Sequence, residues 1–232
     1  MNESHKDLVR TARLAGIWYL ALAITGVLGF MVYHPQVYDA ADPVKTLANL
    51  TESESLARIR LVLEFGIVVS QALAAVWFYK LFRGINEWGA WSLGIWGTVN
   101  SCLIMVSAVA MGTAIDVAAG TSSQEDKIVM IQLLTRLSAN AWGVGGLFFG
   151  LWLIPMGYVV VTSRRMPPWL GRILIMGGVG YLLSTIISYA GYSNAVISSL
   201  TIPATVGEFW MIGYLLIYGI REAPTEAGGS VG

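Results

Sequence analysis

The chain has 232 residues, of which 56% are hydrophobic and only 12% are charged. Soluble proteins carry roughly 25% charged residues, so too few charges remain here to cover a water-facing surface. These proportions exclude a soluble enzyme and a disordered chain, and they indicate a multi-pass membrane protein. The formal net charge of zero excludes a basic nucleic-acid-binding protein, and the single cysteine, Cys102, excludes an intramolecular disulfide.

Six stretches of the chain are long and apolar enough to cross a membrane, which takes a helix of about 20 residues. Such stretches must be helical because lipid offers no partner for backbone N–H and C=O groups. The sequence therefore predicts an all-α, six-helix membrane bundle over residues 1–221 and a disordered cytoplasmic tail over residues 222–232. The predicted spans are Leu14–Val32, Leu61–Tyr79, Trp88–Ile115, Ser138–Val161, Gly171–Tyr192 and Leu200–Ile220.

The Lys and Arg residues are divided unequally between the two sides of these spans. Nine of the 14 fall in segments on the same side as both termini. Because positive residues concentrate in cytoplasmic segments, we expect both termini to lie in the cytoplasm. The nine are Lys6, Arg10, Arg13, Lys80, Arg83, Arg164, Arg165, Arg172 and Arg221.

The long connection between the first two spans contains a typical helix start. In the pair Asp42-Pro43, Asp suits the N-cap and Pro suits the first helical position. Leu47 and Leu50 then share one side of the helix, whereas Glu52 faces water. The sequence predicts a short amphipathic helix on the outer surface, with its leucines turned toward the membrane.

Several polar side chains fall within the spans, where such groups normally face the bundle interior and find partners. Spacings of three, four or seven residues place them on single helical faces. We predict an intramembrane polar cluster in which Arg136 bridges Glu64, Glu208 or both, while neutral polar side chains complete the hydrogen bonds. A structural network that fixes helix register is favoured over a substrate or proton site. The candidate cluster residues are Arg60, Glu64, Gln71, Asn100, Arg136, Asn140 and Glu208.

Tryptophan and glycine in the spans have ordinary explanations. Trp142 lies near a span end, as most of the tryptophans do, and is assigned to an interfacial aromatic belt. Gly146-x-x-x-Gly150 permits close helix approach. Packing within the chain is favoured over dimerisation.

The spans lack the residue combinations that catalysis requires. Neither His5 nor His34 lies within a predicted span, so no base for serine chemistry and no haem ligand is available there. No H-E-x-x-H motif or histidine cluster occurs either. We therefore expect no catalytic residue, no bound metal, no cofactor and no enzyme activity.

A set of motifs in fixed order resembles a bacterial family of integral membrane proteins catalogued as domain of unknown function 4386. The resemblance covers nearly the whole chain and implies a six-span protein whose role is unassigned. It supplies no catalytic residue. The motifs are Arg13–Gly16, Tyr19–Leu20, Arg136, Pro155–Gly157, Arg165–Gly171, Gly178–Leu182, Gly207–Glu208 and Tyr214–Leu216, the last of which has Tyr where Trp is expected.

Two functions of different class remain open at this point. The first is a small-molecule or ion carrier whose outward-facing polar pocket includes Glu64, Arg136 and Glu208. The second is a structural or regulatory partner of another membrane protein. The lipid bilayer is the expected environment, a membrane-protein partner or homo-oligomer is left open, and nucleic acid is not an expected partner. The family likeness implies a cell membrane, and specifically a bacterial inner membrane, as the expected location.

Overall fold

A computed structural model describes residues 5–222 of the chain, so the predicted tail lies outside the described residues except for Glu222. This part of the chain is helical and contains no β-strand, in agreement with the predicted all-α bundle. Six helical segments are long and apolar enough to cross a membrane. The elements are α1 (His5–Val27), a π-helical segment (Leu28–Tyr33), α2 (His34–Val37), α3 (Pro43–Glu52), α4 (Glu54–Phe82), α5 (Glu87–Ala119), α6 (Gln124–Ser163), α7 (Pro168–Tyr189), α8 (Ala195–Ser199) and α9 (Ile202–Ile217).

Each predicted span coincides with one of these segments, although the ends differ. The first prediction stops at Val32, whereas the helical segment continues through α2 to Val37. The turn that carries it onward is a π-helix, which is wider than an α-turn and often occurs at functional sites. His34, which the sequence analysis placed outside the spans, begins α2 and so belongs to this continued helical segment.

The short helix α3 confirms the predicted helix start. The Asp42 side chain accepts hydrogen bonds from the backbone N–H groups of Val44 and Lys45, both at 3.0 Å. The predicted orientation of its leucines is wrong, because Leu47 and Leu50 are buried against residues of α4, α5 and α6. Their apolar face is covered by protein and is not free to meet lipid.

The chain divides into two compact units. The terminal unit contains the described residues up to Ile17, then Val76–Gly94 and the described residues from Gly150 to Glu222. The central unit contains Trp18–Ala75 and Ile95–Phe149.

In the terminal unit, glycine allows α6 and α7 to approach closely. A Cβ atom placed on Gly150 would lie 2.6 Å from the carbonyl oxygen of Gly178, which is too close for any side chain. Gly150 therefore serves packing within the chain, as the sequence favoured.

The core of the central unit joins α3 to the neighbouring parts of α4, α5 and α6. Its buried side chains are mostly aliphatic, and they surround the position where α2 ends. This core holds the π-helical segment and α2 beside the polar residues of α4. The residues in the core are Val37, Tyr38, Leu47, Leu50, Ala57, Met111, Ala114, Ile115, Ala118 and Ile131.

Candidate functional site

An ion pair lies fully buried in the central unit. Arg60 and Glu64 are one turn apart on α4, and Nη1 of Arg60 donates to Oε2 of Glu64 at 2.7 Å. Their side chains are 1% and 0% exposed. A carboxylate removed from solvent in this way is stable only when its charge is compensated and its oxygens accept hydrogen bonds.

The second oxygen of Glu64 receives hydrogen bonds from two other helices. Ser107 on α5 donates its hydroxyl proton to Oε1 at 2.5 Å, and Nε1 of Trp142 on α6 donates to the same atom at 2.8 Å. Three helices thus supply donors to one carboxylate. Together with Arg60 they satisfy both of its oxygens.

The guanidinium of Arg60 is enclosed by the π-helical segment. Its carbon Cζ lies 4.7 Å from the centre of the Phe30 ring, which gives a cation–π contact. A Cβ atom on Gly29 would lie 3.3 Å from Nη1, so the absence of a side chain there lets the backbone come close. Nε of Arg60 has no hydrogen-bond partner among the described residues.

Two serine hydroxyls extend this network away from Glu64. Oγ of Ser107 lies 2.8 Å from Oγ of Ser138 on α6. Ser107 is fully buried, whereas Ser138 is 7% exposed and lines a cavity. The hydrogen-bonded chain therefore runs from the buried carboxylate to the wall of that cavity.

The cavity has a volume of about 340 Å³. One side of it consists of connected aromatic rings, since Phe30 meets Trp142 edge-on at 4.4 Å and His34 stacks on Tyr38 at 5.1 Å. The rest of the wall is mainly alanine and aliphatic side chains. The lining residues are Phe30, His34, Pro35, Tyr38, Ala40, Ala110, Met111, Ala114, Leu134, Thr135, Ser138, Ala139 and Trp142.

Three side chains in this wall carry polar atoms without a partner in the described part of the chain. They are Nδ1 of His34, the hydroxyl of Tyr38 and the hydroxyl of Thr135. Burial raises the pKa of Tyr38, so its phenol remains neutral and able to donate or accept. Buried polar atoms normally have hydrogen-bond partners. Three such atoms around one cavity therefore make it a candidate binding site.

Comparison with known proteins assigns the family. The sequence model of the family described as "Domain of unknown function (DUF4386)" matches residues 14–219. The chain belongs to the DUF4386 family. The resemblance noted from the sequence motifs is thereby confirmed.

One relative of this DUF4386 protein is an archaeal chain from Archaeoglobus fulgidus with the name "Uncharacterized protein". The two are 28% identical over 69 residues, which make up 30% of this chain and 43% of the relative. The match thus spans less than half of the length of that curated relative. No solved structure matches the chain.

The geometry brings together only part of the predicted cluster. Arg60 and Glu64 form its centre, but Arg136 is exposed and forms no ion pair with the described residues, so the predicted bridge is absent. The reason is helical phase. Ser138 faces Glu64's network, and a residue two positions earlier points about 200° away from it around the helix.

Asn140 is exposed for the same reason, because it lies two positions beyond Ser138. Gln71 and Asn100 are fully buried, but neither completes the hydrogen bonds of Glu64. Their amide atoms have no hydrogen-bond partner among residues 5–222. The donors predicted to satisfy the carboxylate are thus replaced by Ser107 and Trp142.

Glu208 belongs to the terminal unit, on α9, and is partly buried. It interacts electrostatically with Tyr181 of α7. Glu64 takes all of its donors from the central unit: Arg60, Ser107 and Trp142.

Sequence reasoning missed the residues that connect the pair to the cavity. Trp142 was assigned to an aromatic belt, whereas its indole N–H donates to Glu64. Ser138 and Trp142 are four residues apart, a spacing that places both on one helical face. His34 and Tyr38 are also four residues apart, at the start of α2 and directly after its end, where the predicted span had already ended.

Proposed function

We propose that this DUF4386 protein is a small-molecule carrier that binds a small, largely apolar molecule in the cavity of the central unit. The cavity itself supports the proposal. Its volume of about 340 Å³ falls within the range of ligand pockets, roughly 300–1,000 Å³. Apolar walls with a few polar groups are also typical of such pockets. The role requires no catalytic group.

The charge balance favours a neutral ligand over an ion. Glu64 is the acidic side chain of the network, and Arg60 compensates its charge directly. A bound cation would have to compete with a guanidinium at 2.7 Å. The polar atoms left for a ligand belong to the imidazole of His34 and to the hydroxyls of Tyr38 and Thr135, so the wall offers a ligand no acidic side chain.

Photolabelling with 4-hydroxybenzophenone tests whether the cavity binds a molecule of this kind. Irradiation of the purified protein with 4-hydroxybenzophenone, followed by peptide mass spectrometry, should place the label on wall residues such as Met111. Ala139→Trp should suppress this label, because Ala139 lines the cavity and is accessible enough to accept a larger side chain. Leu137→Trp is the matched control, since Leu137 is exposed on the same helix and does not line the cavity.

Labelling that is spread over the apolar surface and is equal in both variants would contradict binding in the cavity. A carrier must also open its binding site to both sides of the membrane. Ser138→Cys in a Cys102→Ser background should therefore react with an impermeant maleimide in right-side-out and in inside-out vesicles. Reaction from one side only would contradict a carrier.

A second candidate function, as a structural or regulatory membrane partner, is favoured by one observation. Both oxygens of Glu64 are fully satisfied by Arg60, Ser107 and Trp142, as expected of a network that fixes helix register. This role predicts that crosslinking in native membranes captures a defined partner or a second copy. It also predicts that Ala139→Trp leaves that crosslink unchanged.

A further inference from the structure

The hydrogen bonds that connect Glu64 to Ser107 and Ser107 to Ser138 have a defined direction. An ionised carboxylate can only accept hydrogen bonds. The hydroxyl of Ser107 must therefore donate the hydrogen bond to Oε1, and it has no second proton with which to donate another. The indole N–H of Trp142, which can only donate, points to the same oxygen and also lies 3.2 Å from Oγ of Ser107. The hydroxyl oxygen of Ser107 therefore acts as an acceptor toward its other neighbours.

Ser138 completes the chain with the same direction. Because the proton of Ser107 is directed to Glu64, the hydrogen bond of 2.8 Å between the two serines must be donated by Ser138. The proton of Ser138 then points inward. Only lone pairs of its hydroxyl oxygen remain for a molecule in the cavity.

The remaining polar groups of the wall do not oppose this preference. The hydroxyls of Tyr38 and Thr135 can each donate or accept, and Nδ1 of His34 does one or the other according to the tautomer of the ring. None of the three has a partner in the described chain. The aromatic rings of Phe30 and Trp142 add flat apolar surface, which suits a ring in the ligand.

We infer that the cavity selects an aromatic molecule bearing a hydroxyl or N–H donor, such as a phenol, over a matched molecule that can only accept hydrogen bonds. This inference rests on the proposed function. Ser138 is the residue that determines the specificity. The buried pair of Arg60 and Glu64 acts through Ser107 to fix the direction in which the hydroxyl proton of Ser138 points.

The test compares 4-fluorophenol with 4-fluoroanisole, in which a methyl group replaces the hydroxyl proton. Binding to the full chain in lipid nanodiscs is measured by fluorine NMR, and partition into lipid is subtracted with the Ala139→Trp variant. We expect 4-fluorophenol to bind about tenfold more tightly than 4-fluoroanisole. This is the effect of one hydrogen bond to the serine hydroxyls that lead to the charged Glu64 carboxylate.

Ser107→Ala breaks the chain and frees Ser138 to donate, so the preference should fall to about threefold or less. Ser101→Ala is the matched control, because Ser101 lies on the same helix, donates its hydroxyl hydrogen bond to the carbonyl oxygen of Val68 on α4 at 2.9 Å, and does not line the cavity. It should keep the preference of the parent. If Ser107→Ala does not fold, Ser138→Ala gives the same expected loss.

Equal binding of the two probes to the parent protein would overturn the inference and leave the proposed function standing. A preference for the phenol that persists without Ser107 or Ser138 would also overturn it. Saturable binding of neither probe would overturn the inference together with the proposed function.

Discussion

Removal of Arg60 alone should strongly destabilise the protein. In Arg60→Met, Glu64 keeps its hydrogen bonds from Ser107 and Trp142 but loses the compensating charge at 2.7 Å while its side chain remains 0% exposed. Breaking a buried ion pair in this way costs about 3–5 kcal/mol. For a chain of this size each kcal/mol lowers Tm by roughly 2–4 °C, so the expected decrease is on the order of 10 °C.

The double variant, Arg60→Met with Glu64→Leu, should recover most of this loss, because no uncompensated charge remains. The matched control is Arg58→Met, which breaks the pair that Arg58 forms with Glu54 at 2.6 Å and with the same spacing on the same helix. That pair is exposed and should contribute only about 0.2–1 kcal/mol. Thermal unfolding in one detergent measures all variants. The reasoning is refuted if Arg60→Met loses no more than Arg58→Met, or if the double variant is as unstable as Arg60→Met.

Trp142→Phe keeps an aromatic ring but removes the N–H donor to Glu64, so the variant should lose about 1.5–3 kcal/mol of stability. Trp88→Phe, at an exposed position, is the control and should lose less than about 0.5 kcal/mol. Equal losses would contradict the assigned hydrogen bond. The pKa of Asp39 lies below its usual value, chiefly because the Lys45 ammonium donates to its carboxylate at 3.1 Å. Lys45→Met should raise the pKa of Asp39 in an NMR titration. A lowered folded-state pKa stabilises the folded protein only at pH values above that pKa, so any stability difference from the parent should disappear as the pH falls through the pKa of Asp39. An unchanged pKa would contradict the pair. Finally, the distribution of Lys and Arg predicts a cytoplasmic C-terminus. A fluorescent protein fused there should therefore be fluorescent, and a phosphatase that is active only after export should be inactive. The reverse result would place the C-terminus outside.

The helices were predictable because the membrane imposes length and composition on them. A hydrocarbon layer about 30 Å thick needs about 20 apolar residues per helix, and the chain shows such stretches directly. The start of α3 was also predictable, since Asp42 and Pro43 have conformational preferences that act locally. The end of the first span was not predictable, because the π-helical segment continues the helix past Val32 to Val37.

The polar site was predictable only in part, and the reason is the phase of α6. Periodicity shows that Arg136 and Asn140 share one helical face, but it does not show which face turns inward. In the structure the inward face carries Ser138 and Trp142, whose neutral side chains gave no signal of costly burial in the sequence. Charge alone identified Arg60 and Glu64, whereas their donors and the adjoining cavity depend on contacts between distant segments.

The central claim is that Glu64 is an ionised carboxylate held by Arg60 and by directed hydrogen bonds. Infrared difference spectroscopy of the parent protein against Glu64→Gln measures this state directly, since an ionised carboxylate and a protonated carboxyl group absorb at separate frequencies. We predict that the substitution removes a carboxylate band and no protonated carboxyl band at neutral pH. Loss of a protonated carboxyl band would show that Glu64 carries a proton, which would contradict both the ion pair and the direction of the chain through Ser107 and Ser138.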